Sequence, residues 1–195
     1  MEHWYDMNKI SIILSSTRQG RQGEKVARWV ERVAKTRPEF NVELLDLRDW
    51  PLPFYDQAVS PSGLKGMYPY EIVQRWAEKI AASDGFIIVT PEYNHGYPAV
   101  LKNALDWLYS EWNRKPAAFV AYSGGQISGA RSVEQLRLVS IELQLVPLRF
   151  DVLMPSVQNQ FSASGDLLDD SWNKRLNGVL NHLTWWAETL KAGRA

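Results

Sequence analysis

A chain of 195 residues, 45% apolar and 23% charged, is long enough to bury a sizeable core and short enough to form one domain. Lys plus Arg and Asp plus Glu each number 22, and a formal net charge of zero offers neither the basic excess of a nucleic-acid binder nor a polybasic run for a membrane surface. Cysteine is absent, which excludes disulfides, thiolate nucleophiles and dithiol redox chemistry, so any redox work needs a bound cofactor.

The opening segment MEHWYDM is acidic and aromatic, unlike a signal peptide, and no apolar run reaches the roughly 20 residues that span a bilayer. A cytoplasmic protein is expected. Residues 9–14 (KISIIL) predict a buried strand, and the polar loop SSTRQGRQG follows. Val26, Val30 and Val33 recur at helical spacing over residues 24–35, and residues 41–47 predict a second strand. Residues 48–68, with three prolines and two glycines, predict a long loop of the kind that usually carries function. Ile72, Trp76 and Ile80 mark a helix after Pro69, and Gly85 opens FIIVT, a central strand. PEYNHGYP interrupts, and Pro98 starts a helix carrying Leu101, Ala104, Leu105 and Leu108. Residues 117–122 (AAFVAY) predict strand 4, SGGQISG a loop, and residues 130–145 a helix through Val133, Leu136 and Leu143. Val146, Leu148, Phe150 and Val152 alternate strictly, predicting one edge strand, and a last helix carries Leu176, Val179, Leu180, Leu183 and Trp186.

Five strands alternating with helices predict an α/β domain over residues 1–195: a five-stranded parallel sheet in the flavodoxin-like order 2-1-3-4-5, with helices on both faces. In such sheets ligands bind beyond the carboxyl ends of the strands, at the switch point between strands 1 and 3. The loop after strand 1 carries the hydroxyls of Ser16 and Thr17, the cations Arg18 and Arg21, and a helix start at Gln22 and Gly23, which together suit a phosphate. Neither G-x-G-x-x-G nor G-x-x-x-x-G-K-[ST] occurs, so the phosphate fits a flavin mononucleotide better than a dinucleotide or a hydrolysed nucleotide. After strand 3, Pro91 and Pro98 stiffen a turn in which Gly96 allows close approach or a positive φ. There Asn94 offers both donor and acceptor to a flavin edge. After strand 4, Ser123, Gly124 and Gly125 supply backbone that can approach a flat ring.

At these residues the chain resembles the NADPH-dependent FMN reductases, which include quinone, azo-dye and chromate reductases. The resemblance rests on Ser15-Ser16-Thr17-Arg18 for G-S-x-R, on Pro91-Glu92-Tyr93-Asn94-His95-Gly96-Tyr97-Pro98, on Leu101-Lys102-Asn103-Ala104-Leu105-Asp106-Trp107, and on Gly124-Gly125. The segment Leu47-Arg48-Asp49-Trp50-Pro51-Leu52-Pro53 also looks like the family's second-strand loop, and the whole likeness spans roughly residues 9–155. Ser15 stands where the family usually has Gly, and Tyr122-Ser123 where Ser-Tyr is commoner. The resemblance implies that Ser16, Thr17, Arg18, Gln22 and Gly23 hold the FMN phosphate. It also implies that Pro91, Glu92, Tyr93, Asn94 and Gly96 line the isoalloxazine, and that Ser123, Gly124 and Gly125 cover its other edge.

The reaction so implied passes electrons from NADPH or NADH through FMN to a small-molecule acceptor such as a quinone, free flavin, azo compound or metal oxyanion. It requires orientation rather than an acid–base side chain, so no catalytic residue and no metal are assigned. A homodimer or homotetramer is expected, with Trp107, Trp112 and Tyr97 on the subunit surface. Two other readings stand beside this one. An FMN electron carrier or flavin-responsive binding protein would bind FMN without turnover. A serine hydrolase would use Ser123, which lies one residue from a nucleophile elbow and precedes acids at 166–170 and His182 in chain order.

Overall fold

The computed structural model describes residues 7–194, so the first six residues of the opening segment, including Trp4, lie outside the described residues. The strands are β1 (Asn8–Leu14), β2 (Phe40–Asp46), β3 (Gly85–Pro91), β4 (Pro116–Tyr122), β5 (Val146–Pro147) and β6 (Val152–Met154). The helices are α1 (Gly23–Ala34), α2 (Pro61–Leu64), α3 (Glu71–Ala82), α4 (Ala99–Asp106), α5 (Ala130–Glu142) and α6 (Ser171–Arg194). The sheet is parallel with order β2-β1-β3-β4-β5, and β6 also pairs with β4. That is the flavodoxin-like order expected from the sequence.

Every residue of β3 and β4 is buried, as continuous apolar runs require where helices cover both faces of a sheet. Alternate side chains feed two cores. Ile12, Leu14, Val89, Val120 and Tyr122 pack with the apolar faces of α1 and α6. Ile13, Phe86, Ile88 and Phe119 pack with α3, α4 and α5.

The edge differs from the single strand expected at 146–152. Pro147 pairs with Ala117 and Val152 with Val120, so the edge advances five residues while β4 advances three. The two extra residues form a bulge. Arg137 on α5 holds it, donating to the Arg149 carbonyl at 3.1 Å and pairing with Asp151 at 2.7 Å. Leu148 and Val152 remain in the core, but Phe150 turns outward, 46% exposed, and stacks on His182 with ring centroids 4.5 Å apart.

Trp107 and Trp112, expected at a subunit surface, are both fully buried. Trp112 donates its indole N–H to the Leu105 carbonyl at 3.2 Å and meets Trp76 edge-on at 6.3 Å. An indole buried with its N–H satisfied gives its whole area to the core.

Asn103 explains part of the motif around it. Its amide donates to the carbonyls of Leu52 (3.2 Å) and Pro53 (2.9 Å), and its oxygen accepts the Tyr55 amide at 3.2 Å. Trp107 donates to the same Pro53 carbonyl at 2.6 Å. The long loop after β2, which Pro51 and Pro53 prevent from forming regular ladders, is thus pinned onto α4. Replacing Asn103 by Ala leaves the Leu52 carbonyl and the Tyr55 amide without these partners, while Trp107 still holds the Pro53 carbonyl. The substitution is expected to cost about 1–3 kcal/mol of stability in denaturant melts, with protease sensitivity appearing near residue 55.

Candidate active site

The loop between β1 and α1 is built to present amides. The Arg48 guanidinium, from the turn after β2, donates to the carbonyls of Thr17 and Arg18, and Arg21 donates to the carbonyl of Ser16. In a trans peptide the next N–H points away from the carbonyl, so these contacts turn the amides of Thr17, Arg18 and Gln19 to the opposite side. No amide from residue 17 to 20 donates to a protein acceptor among the described residues. Helix α1 then starts at Gln22 without a side-chain cap. Free amides and an uncapped helix N-terminus favour an anion.

Sequence reasoning gave Arg18 and Arg21 the same role, and the structure separates them. Arg18 is exposed and forms no ion pair among the described residues, whereas Arg21 is buried and forms a two-pronged pair with Asp46 at the end of β2. Burial alone would raise the Asp46 carboxyl, but hydrogen bonds from Arg21 and the Arg48 amide hold it below the ordinary range. Arg21 is therefore a strut between loop and sheet, and Arg18 is the available cation.

The loop after β3 folds back on itself: Tyr93 and Gly96 exchange backbone hydrogen bonds of 2.8 and 3.0 Å. Asn94 and His95, not Gly96, take the left-handed conformation, with φ of 49° and 68°. Gly96 serves by close approach, since a Cβ there would lie 3.0 Å from Gln135 Oε1. Glu92 is tied to Arg131 at the start of α5, accepting its Nε at 2.6 Å and its amide at 3.2 Å. Its carboxylate is engaged as a brace between the β3 loop and α5. The Tyr93 hydroxyl bonds Ser16 Oγ at 2.7 Å, linking the first two loops.

In the third loop Ser123 Oγ donates to the Gly125 carbonyl at 2.9 Å and accepts the Ser128 amide at 3.0 Å. His182 lies on α6, stacked on Phe150. Among the described residues no imidazole bonds Ser123, and the hydrolase reading finds no support in this geometry. Gly129, at φ 89°, lets this loop turn into α5, where a Cβ would sit 2.7 Å from that of Ala121.

The three loops enclose a cleft of about 340 Å³ at the carboxyl ends of β1, β3 and β4. Of the residues expected there, Arg18, Gln22, Pro91, Glu92, Tyr93, Ser123 and Gly124 form its walls. Ser16 and Gly23 are buried outside those walls, Thr17 and Gly125 are exposed neighbours of wall residues, and Asn94 and Gly96 belong to the tight turn. Sequence reasoning missed Gln19, Gly20, Tyr122, Val157 and Gln158 as lining residues. The last two follow β6 and come within reach of Gly124 through a 3.3 Å bond from Gln158 to its carbonyl, a long-range contact with no local sequence signal.

Beneath the cleft the Tyr122 hydroxyl is buried without a hydrogen-bond partner among the described residues, and a Cβ on Gly23 would lie 2.1 Å from it. Burial raises its pKa. The donor set of free amides, Arg18, hydroxyls and an uncapped helix suits a phosphate ester. The walls at 91–93 and 123–124, largely backbone and proline, suit a flat ring.

Similarity to known proteins identifies the family. Residues 8–159 match the model of the family described as NADPH-dependent FMN reductase. An NAD(P)H-dependent FMN reductase of Schizosaccharomyces pombe is 40% identical over 149 residues, covering 75% of this chain and 74% of its own. A quinone reductase of Escherichia coli strain K12 is 34% identical over 182 residues, covering 90% and 89% of the two chains. Among solved structures, the flavoenzyme NAD(P)H:(acceptor) oxidoreductase FerB of Paracoccus denitrificans superposes with a TM-score of 0.77 at 26% identity, covering 94% of this chain and 98% of its own. The family-model match over residues 8–159, with relatives 34–40% identical along most of the chain, establishes that this protein belongs to the NADPH-dependent FMN reductase family.

Proposed function

We propose that this oxidoreductase holds FMN in the cleft bounded by Arg18, Gln22, Pro91, Glu92, Tyr93, Ser123 and Gly124, and delivers electrons from NADPH or NADH to a quinone-like acceptor. The observation that carries the assignment of residues is the row of amides at 17–20 without acceptors beside an unpaired Arg18. Bound FMN would supply the two-electron chemistry, accepting a hydride equivalent from the nicotinamide and reducing the second substrate. The chain's own residues bind, orient and exclude water. The amides at 17–20, the start of α1 and Arg18 hold the phosphate. The Glu92–Arg131 brace fixes the β3 loop against α5, so the two walls keep their separation. Gly124 and Gly125 leave room at the opposite wall, with nothing nearer than 3.8 Å to a Cβ at either.

The quinone class follows from the likeness to quinone reductases. Removing the Arg18 guanidinium is expected to raise the Kd for FMN about tenfold or more and to flatten its salt dependence. Fluorescence titration of the apoprotein measures both, and an unchanged Kd would remove Arg18 from the phosphate site. Rapid NADPH oxidation with a benzoquinone would support the acceptor class, and turnover with oxygen alone would oppose it.

The chain is proposed to act in the cytoplasm as one FMN-binding domain over residues 1–195, and to self-associate. Leu138 and Ile141, which are 71% and 65% exposed on α5, are better placed for a subunit surface than the buried Trp107 and Trp112. Light scattering on Leu138→Glu against the unaltered chain tests that placement.

A further inference from the structure

A second groove of about 350 Å³ borders the cofactor cleft and shares Arg21 with it. One wall is the exposed face of α1, with Glu24, Lys25, Arg28 and Arg32. The other is the loop at Ala163, Ser164 and Gly165. Lys25, Arg28 and Arg32 stand three and four residues apart, which puts three cations on one helix face. Their surroundings differ from those of an ordinary solvated helix face. Lys25 donates to the Ser162 carbonyl at 2.9 Å and Arg32 to the Gly165 carbonyl at 3.4 Å. Neither has a carboxylate partner among the described residues. Arg28 shares Glu31 with Lys35, so that carboxylate serves two cations. Asp166, the acid nearest in sequence on the loop, accepts from Ser164 Oγ at 2.7 Å and lies within the loop's own hydrogen bonds. Glu24 is the groove's one acid, and it lies 3.7 Å from Arg21. The groove therefore holds excess positive charge, with Lys25 and Arg32 resting on neutral carbonyls and Arg28 on Glu31.

Resting on the reading that a nicotinamide nucleotide is the reductant, we propose that this groove binds the 2′-phosphate of NADPH, with Arg28 and Arg32 as the selecting residues. Charge-assisted bonds from arginine to a phosphate dianion are strong and directional. The groove lies along α1 from the cofactor cleft, on the order of 13 Å of helix between Gly23 and Arg32 at 1.5 Å per residue. A dinucleotide reaching out of the cleft along α1 would bring its far phosphate to these cations. NADH lacks that phosphate and would gain nothing from them.

The test is the ratio of kcat/KM for NADPH to that for NADH in the FMN-loaded protein, for Arg28→Ala, Arg32→Ala and the double variant. The ratio is expected to fall about tenfold for one arginine and further for both. An unchanged ratio overturns the proposal. Binding of adenosine 2′-monophosphate to the unaltered holoprotein, measured by calorimetry against adenosine 5′-monophosphate, gives an independent readout. Preference for the 2′ isomer that weakens with salt supports the groove, and equal affinity contradicts it. If neither nucleotide reduces the bound flavin, the reductant reading itself has failed, which these binding data distinguish from a failure of the groove alone.

Discussion

Gly23→Ala is expected to cripple both the fold and the cofactor site, and Tyr122→Phe is expected to rescue much of the loss. The added methyl would lie 2.1 Å from Tyr122 Oη and 3.1 Å from Tyr122 Cζ and Leu14 Cδ1. The ring ends β4 inside the core and cannot swing aside without opening it, so α1 must shift instead. Overpacking of this kind costs about 1–3 kcal/mol, or roughly 2–12 °C in Tm for a chain of this size. Because the displaced helix continues directly from the loop of free amides at 17–20, the FMN Kd should rise by an order of magnitude or more alongside. Tyr122→Phe removes the atom in the worst clash and also a buried hydroxyl with no partner, so alone it should be neutral or slightly stabilising. The double variant should then melt well above Gly23→Ala, a coupling that a double-mutant cycle reads directly. Additive effects would mean that Gly23 matters for backbone freedom rather than for the space under Tyr122.

The second large effect is expected at Arg21. Its guanidinium spans the Ser16 carbonyl and both oxygens of Asp46, with its side chain 3% exposed. Arg21→Ala strands a half-buried carboxylate. The cost of breaking a fully buried pair is about 3–5 kcal/mol, reduced to roughly 2–3 kcal/mol here because the Asp46 side chain retains 21% of its exposure. The variant also loosens the loop that carries Arg18, so FMN affinity falls with stability. The pH dependence separates this from simple loss of packing. The Asp46 carboxyl sits below its ordinary pKa in the folded chain. Its contribution is therefore fully present above the unfolded value near 4 and is lost as pH falls through the folded value. Denaturant melts of the unaltered chain between about pH 6 and pH 3 should show that loss. Arg21→Ala should show a shallower acid limb, and an identical limb would mean that the pair contributes nothing.

These two predictions rest on contacts that periodicity does not reveal. Strand order and the three loops around the cleft were legible because apolar runs, helical spacing and Gly/Pro punctuation are local, and the parallel α/β order then dictates which loops meet. The Arg21–Asp46 pair joins residues 25 apart, so a basic residue in a phosphate-like loop looked like a ligand when it is a strut. The split edge strand was hidden for a similar reason. The alternation of Val146, Leu148, Phe150 and Val152 is real, but Arg137 pulls Arg149 and Asp151 out of register and turns Phe150 to solvent. Trp107 and Trp112 gave no surface signal of their own, and both are committed to the core around Pro53, Leu105 and Trp76. The wall at Val157 and Gln158 comes from beyond the split strand, so no motif near it announced a role.

The central claim is that the cleft at the ends of β1, β3 and β4 holds FMN reducible by a nicotinamide nucleotide. The most direct measurement is the visible absorbance of the purified protein, supplied with FMN if colourless, before and after NADPH is added without oxygen. Flavin bands that stay with the protein through gel filtration and bleach with NADPH are the predicted result. Protein that retains no flavin, or bands that bleach with dithionite but not with NADPH or NADH, would contradict it.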